Sequence, residues 1–141
     1  MVRAQGEGEG ERDLTRLLAG LAPSLDPALY RFVFSATPPD AERRAALMSF
    51  REAEGWTLIL PADWPEADVG SASAPMARLT LRVHSSLEAI GLTAAVAGAL
   101  TQAGISANVV AAYHHDHLFV PAADGERALA VLEALAARTR G

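Results

Sequence analysis

The sequence predicts an α+β fold of the ferredoxin-like class, built from two similar units placed side by side. The main observation is a short repeat: residues 58–62 (LILPA) return as residues 118–122 (LFVPA) at an offset of 60 residues. In both places a predicted strand pair ends at the repeat and a predicted helix follows. Each half therefore has the order strand, spacer, strand, strand, helix, and the spacer of the first half is reduced to a turn.

In the first half, the spacing of apolar residues predicts one helix and three strands. Leucines at helical spacing over residues 13–21 predict the helix. Alternating aromatic residues over 29–35 predict a strand, and the chain from 47 to 60 predicts two more that meet at Glu54 and Gly55. Residues 1–12, in which Glu alternates with Gly, are expected to form a solvated tail, so we place the first unit at residues 13–74.

The second unit, residues 75–141, has clearer signals. After a strand over 79–83, the longest apolar helical pattern covers residues 86–103, with Ser85 or Ser86 as its cap and Gly104 as its stop. Two strands follow, over 105–113 and 117–120, joined by a turn. A last helix begins at Asp124.

Composition narrows the possible functions of this 141-residue chain. Cysteine is absent and all 12 basic residues are arginine, which excludes disulfides, Cys-based zinc sites and catalytic lysines. The net charge of −5 argues against a nucleic-acid partner or an anionic membrane surface. The apolar runs are too short for a membrane span, and the first 15 residues lack a signal-peptide core. We therefore expect a cytoplasmic protein.

One candidate site lies where the strand over 79–83 passes into the long helix. Free N–H groups and the positive end of a helix dipole attract a carboxylate at such a place. Ser85 and Ser86 supply hydroxyl donors, and Glu88 supplies an acceptor for an amino group. Ordinary helix capping by the serines is the alternative interpretation.

A second candidate is the run Tyr113–His117 (YHHDH). Its histidines and Asp116 are metal-ligand types, with His84 as a further ligand from outside the run. Neighbours in a tight hairpin alternate between faces, however, so we expect a solvated turn and neither a metal nor a cofactor. A serine hydrolase is disfavoured because the chain lacks a G-x-S-x-G sequence. Asn108 is the single asparagine and needs a partner in the backbone or in a ligand.

Several of these segments resemble the ACT domain family. They are residues 83–94 (VHSSLEAIGLTA), 104–111 (GISANVVA) and 115–121 (HDHLFVP), with 54–58 (EGWTL) in the first half. They look like small bacterial ACT proteins and are similar to the ACT repeats of aspartate kinases and of cytosolic arginine sensors. The likeness covers residues 13–137.

The resemblance implies a tandem pair of βαββαβ modules with a degenerate first half. It further implies a regulatory protein without enzymatic activity, which forms a homodimer or higher oligomer and binds a free amino acid between modules. Two alternatives stay open: a metal-binding protein or metal-dependent enzyme that uses the cluster His114–His117, and a ligand-free oligomerisation adaptor. The binding residues that the resemblance carries over are Ser85, Ser86, Glu88, Gly91, Leu92, Asn108, Val109, Tyr113, His115 and Asp116.

Overall fold

The computed structural model describes residues 13–65 and 71–141. These residues form four α-helices: α1 (Leu14–Ala19), α2 (Asp40–Ala45), α3 (Leu92–Gln102) and α4 (Gly125–Arg140). They also form seven strands: β1 (Pro23–Ser35), β2 (Met48–Arg51), β3 (Trp56–Pro61), β4 (Ser71–Ala72), β5 (Met76–Leu81), β6 (Asn108–Ala111) and β7 (Asp116–Pro121). The predicted tail, residues 1–12, lies outside the described residues.

All strands belong to one antiparallel sheet with the order β2-β3-β1-β5-β7-β6. The short β4 pairs with the end of β1. The repeat noticed in the sequence occupies equivalent places, because β3 and β7 each form one arm of a two-stranded hairpin, with β2 and β6 as the other arms. The predicted ferredoxin-like fold class is confirmed, and the spacer of the first half is the six-residue helix α2.

The main core lies between the sheet and the helices α1, α3 and α4. On β5, Ala77, Leu79 and Leu81 alternate with more polar neighbours and face the helices. Across the core, α3 contributes Leu92, Val96 and Leu100, at the spacing of one helical face. A smaller cluster under α2 includes Val33, Leu58 and Leu60. The other face of the sheet carries Tyr30, Ile59 and Phe119, with partly buried neighbours packed against them.

Strand β1 is longer than the predicted strand over 29–35, and it is shared by both halves. Its later part pairs with β3 through Tyr30–Ser35, while Pro23–Leu25 and Leu29–Tyr30 pair with β5. The prolines near its start suggested a loop, which was wrong. Pro27 lies in the register shift between Leu25 and Leu29, where no ladder N–H is required of it.

Helix α1 belongs to the first half of the chain but packs on the helices of the second half. It contacts both α3 and α4, and its Leu17 is part of the main core. At the C-terminal end of α4, Arg140 donates from Nη1 to the carbonyl oxygen of Ala19 at 2.8 Å. Within the described ranges, no helix is long and apolar enough to cross a membrane.

Candidate functional site

A small pocket of about 70 Å³ lies between the loop that precedes α3 and the start of β7. We call it the loop pocket and define it by its lining residues: Ser85, Ser86, Leu87, Ala89, Leu92, Thr93, Ala111 and Asp116. Four of the ten residues carried over from the resemblance thus meet in one place. The β6–β7 hairpin supplies the far wall through Ala111 and Asp116.

Helix α3 begins six residues later than predicted. The expected helix over 86–103, capped by Ser85 or Ser86, was wrong at its start, because Gly91 is the N-cap and Leu92 is the first helical residue. Gly91 has a φ of +96°, which an L side chain rarely adopts. Before it, Ser86 holds a turn: its Oγ accepts from the Glu88 N–H at 3.1 Å, and its carbonyl oxygen accepts from the Ala89 N–H at 3.0 Å.

Asp116 is the charged group of the loop pocket. It is only 8% exposed, and its Oδ2 accepts from the Ser85 hydroxyl at 3.4 Å. Burial raises the pKa of Asp116, although the Ser85 hydrogen bond and the charges of His117 and His115 lower it in part. No arginine among the described residues forms an ion pair with this carboxylate. A cation that enters the pocket would therefore meet a buried acceptor that is not already held in an ion pair with an arginine.

The raised pKa gives Asp116 a measurable effect on stability. The pKa of Asp116 in the folded state exceeds the ordinary 3.8. Its contribution to the free energy of unfolding is therefore most favourable below pH 3.8, and this contribution is lost as the pH rises through the folded-state pKa. Asp116→Asn does not titrate, so the variant should gain stability relative to the wild type over this rise and keep that gain at pH 7. Urea unfolding between pH 3 and 8 measures the difference. A variant whose stability falls relative to the wild type as the pH rises would contradict the raised pKa of Asp116.

The other residues carried over from the resemblance lie outside the pocket lining. Glu88 is exposed on the loop, and Gly91 shapes the turn into α3. On β6, Asn108 is exposed with its Nδ2 3.5 Å from the Phe119 carbonyl oxygen, while Val109 packs against the main core. The structure thus does not bring these residues together with Ser85 and Asp116.

Tyr113 and His115 lie in the β6–β7 hairpin, next to a cluster of rings. The His114 ring is 5.3 Å from that of His84 and 5.0 Å from that of Tyr113. Within residues 13–65 and 71–141, no group of three or more potential ligands is arranged to hold a metal ion. The His114 ring is instead tilted against the rings of His84 and His115 and meets the Tyr113 ring edge to face.

Sequence reasoning missed four lining residues: Leu87, Ala89, Thr93 and Ala111. Thr93 was predicted to lie in the middle of a helix, whereas it is the second residue of α3. Leu92 and Thr93 are the first two residues of α3 and both line the pocket, so the start of the helix forms part of its wall. The resemblance itself implies that Gly91 and Leu92 lie at the start of the helix, and the structure agrees, with Gly91 as the N-cap in the positive-φ conformation that glycine readily adopts.

Comparisons with known proteins agree with this architecture. Two family models, each described as an ACT domain, match residues 9–69 and 77–134. A Vibrio cholerae protein of unknown function, described as a possible transport protein, is 40% identical over 87% of this chain and 95% of its own, with a TM-score of 0.76. Among curated proteins, no sequence matches the chain.

More distant structures share the fold. A protein from Agrobacterium tumefaciens is 19% identical, with 81% of this chain and 87% of that one covered and a TM-score of 0.65. The regulatory subunit of aspartate kinase from Thermus thermophilus, in its ligand-free form, is 15% identical, with 82% and 97% covered and a TM-score of 0.61. The antiparallel sheet, the repeated halves and both model matches agree: the chain belongs to the ACT domain family and carries two ACT modules in tandem.

Proposed function

We propose that this protein is a regulatory protein that binds a free amino acid in the loop pocket. The observation that carries the proposal is the buried Asp116 carboxylate opposite the first turn of α3. A free amino acid has one positive and one negative main-chain group, and the loop pocket offers a partner for each. ACT domains typically bind amino acids and oligomerise, which supports the same function.

The carboxylate of the amino acid would lie at the start of α3. The first N–H groups of a helix have no acceptor within the helix, and the helix dipole adds a partial positive charge there. Leu92 and Thr93 occupy the first two positions of α3 and line the pocket. Ser85 and Ser86 add hydroxyl groups on the adjoining wall.

The ammonium group would lie at Asp116. Glu88 and Asp116 are the two acids among the residues carried over from the resemblance, and the geometry favours Asp116. Its carboxylate is buried in the pocket wall, whereas Glu88 is exposed and is not among the lining residues. A hydrogen bond between two charged groups is worth about 1.5–3 kcal/mol, or roughly 10- to 150-fold in affinity.

Within a single chain, the loop pocket is too small to enclose an amino acid. A volume of about 70 Å³ corresponds to roughly two water molecules. Beside it, the loop exposes Leu87 at 66% and Ile90 at 85%, and the hairpin exposes Tyr113 at 60%. We propose that a second copy of the chain covers these apolar side chains and closes the site at the subunit interface. Its homodimeric state and its cytoplasmic location remain predictions.

The test is a thermal-shift screen of the full chain against each of the twenty L-amino acids at millimolar concentration. A ligand that binds only the folded state stabilises it by about 2.7 kcal/mol at a hundredfold excess over Kd. We expect at least one amino acid to raise Tm. Asp116→Asn should abolish this rise, measured against the variant's own ligand-free Tm, and Glu88→Gln should preserve it.

Three outcomes would contradict the proposal. A screen without any shift would favour the oligomerisation adaptor. A shift that survives in Asp116→Asn would show that the buried carboxylate does not hold the ammonium group. Loss of the shift in Glu88→Gln, with Asp116→Asn unaffected, would move the ammonium site to the exposed loop.

A further inference from the structure

A second cavity lies on the face of the sheet opposite to the one on which α1, α3 and α4 pack. We call it the strand cleft: a cavity of about 210 Å³ whose wall includes Met48, Ile59, Val110, Phe119, Arg78 and His117. Met48 lies on β2 and Val110 on β6, the two outer strands, although four strands separate them in the sheet order. The sheet therefore curls enough for its outer strands to line one cavity, and the wall comes from both halves of the chain.

The strand cleft and the loop pocket lie on opposite faces of β7. Successive side chains of a strand point to opposite faces. Asp116 lines the loop pocket, and its neighbour His117 lines the strand cleft. Ala111 of the outer strand β6 borders both cavities, but a molecule in the cleft would lie on the opposite face of β7 from the amino-acid site.

Arg78 supplies the charge of the strand cleft, and it is held firmly. Its Nη2 donates to Oδ2 of Asp26 at 2.7 Å, and its guanidinium lies 5.2 Å from the centre of the Tyr30 ring. A guanidinium has five N–H donors. The Nε–H of Arg78 is buried and finds no acceptor in residues 13–65 and 71–141. The Arg78 side chain as a whole is 25% exposed, so the guanidinium can donate from its accessible N–H groups to an oxygen atom that enters the cleft.

His117 supplies a second polar group beside Arg78. Its Nδ1 lies 2.9 Å from the Thr80 hydroxyl oxygen, and its Nε2 has no partner in the part of the chain that the structure describes. Burial and the nearby Arg78 charge lower the pKa of His117, so its ring is neutral at pH 7. With the Thr80 hydroxyl as donor to Nδ1, Nε2 carries the ring proton and is a donor as well.

We propose that the strand cleft is a second ligand site, which takes a small aliphatic carboxylate. The carboxylate accepts from the Arg78 guanidinium and from His117, and the aliphatic chain lies against Met48, Ile59 and Phe119. An apolar cavity with a few polar groups at one end is the usual form of a small-molecule site. A cavity of about 210 Å³ equals roughly seven water molecules, which suits an acid of about seven non-hydrogen atoms.

The test uses isovalerate, which has no ammonium group and so cannot replace an amino acid at Asp116. Titration of the full chain at pH 7, followed by amide NMR, should give saturable shifts around Val110 and Phe119. Isovaleramide has the same shape without the charge and should bind at least about tenfold more weakly. Arg78→Met should weaken isovalerate binding by a similar factor. Arg138→Met, which changes an exposed arginine in the last turn of α4, should leave it unchanged.

A second variant keeps the proposal testable if Arg78→Met fails to fold. Val110→Phe fills the cleft from its outer wall without touching the Arg78–Asp26 ion pair, and it should also abolish binding. The proposal is overturned by the absence of saturable shifts, by equal binding of isovaleramide, or by shifts centred on Ser85 and Thr93. It is also overturned if the folded variants bind isovalerate like the wild type. Shifts centred on Ser85 and Thr93 would place the carboxylate in the loop pocket. The other outcomes do not bear on amino-acid binding there.

Discussion

Leu118→Ala is expected to lower the free energy of unfolding by about 2–5 kcal/mol. Leu118 is 0% exposed, and it lies in β7 between Leu79 on β5 and Val109 on β6. Its side chain is part of the core between the sheet and the helices. Truncation leaves a cavity that the neighbouring strands fill only in part, because their hydrogen bonds fix their spacing. Urea unfolding followed by circular dichroism measures the loss.

The matched control is Leu87→Ala, the same chemical change at an exposed position. Leu87 lies in the loop before α3, so its truncation in a single chain should change stability by less than about 0.5 kcal/mol. Similar losses in both variants would show that Leu87 is covered in solution. A loss below about 1 kcal/mol for Leu118→Ala would contradict the described core.

A second large effect is expected for Gly55→Ala, at about 2–4 kcal/mol. Gly55 joins β2 and β3 with a φ of +151°. A Cβ there would lie 2.8 Å from the Cα of Ala36 and 2.9 Å from the carbonyl oxygen of Ser35. Both are backbone atoms at the end of β1, so the hairpin must move to admit the methyl group.

Gly98→Ala provides the comparison for this substitution. Gly98 lies within α3, where a Cβ would have no heavy atom within 4 Å. Alanine forms helices better than glycine, so this variant should gain about 0.5–1 kcal/mol. The opposite signs of the two changes, read from unfolding curves with equal m-values, separate backbone strain from a general effect of added methyl groups. A Gly55→Ala protein as stable as the wild type would contradict the hairpin geometry.

The sequence was sufficient to predict the fold class because the repeat lies on buried strands. Leu58–Leu60 and Leu118–Val120 are central to β3 and β7, and each run ends at a proline. Strand composition and turn residues act locally, so they are visible in a single sequence. The lining of the loop pocket was predicted in part for the same reason: Ser85 and Ser86 follow a clear strand, and Asp116 lies at the start of another.

The start of α3 could not be predicted from apolar spacing. Leu87 and Ile90 continue the helical pattern of α3, but both are exposed in a turn before Gly91. Periodicity shows which side chains need burial and does not show whether the same chain supplies it. In our proposal a second copy covers these two residues, a contact that no local pattern in one sequence encodes.

The strand cleft could not be predicted from the sequence, for a different reason. It depends on how far the sheet curls between β2 and β6, and the alternation of side chains along a strand is the same in flat and curled sheets. The register shift around Pro27 in β1 is one place where such bending arises. In the sequence, Pro23 and Pro27 suggested a loop at this place. Long-range curvature of this kind comes from the packing of all strands together.

Strand β1 makes the protein indivisible. It belongs to the first half, yet it is the neighbour of β5, and the helix that precedes it rests on α3 and α4. Neither half could be moved into another polypeptide by itself. The second half alone would expose the edge of β5 that pairs with β1 and the surface of α3 and α4 that α1 contacts. The two modules therefore form one structural unit.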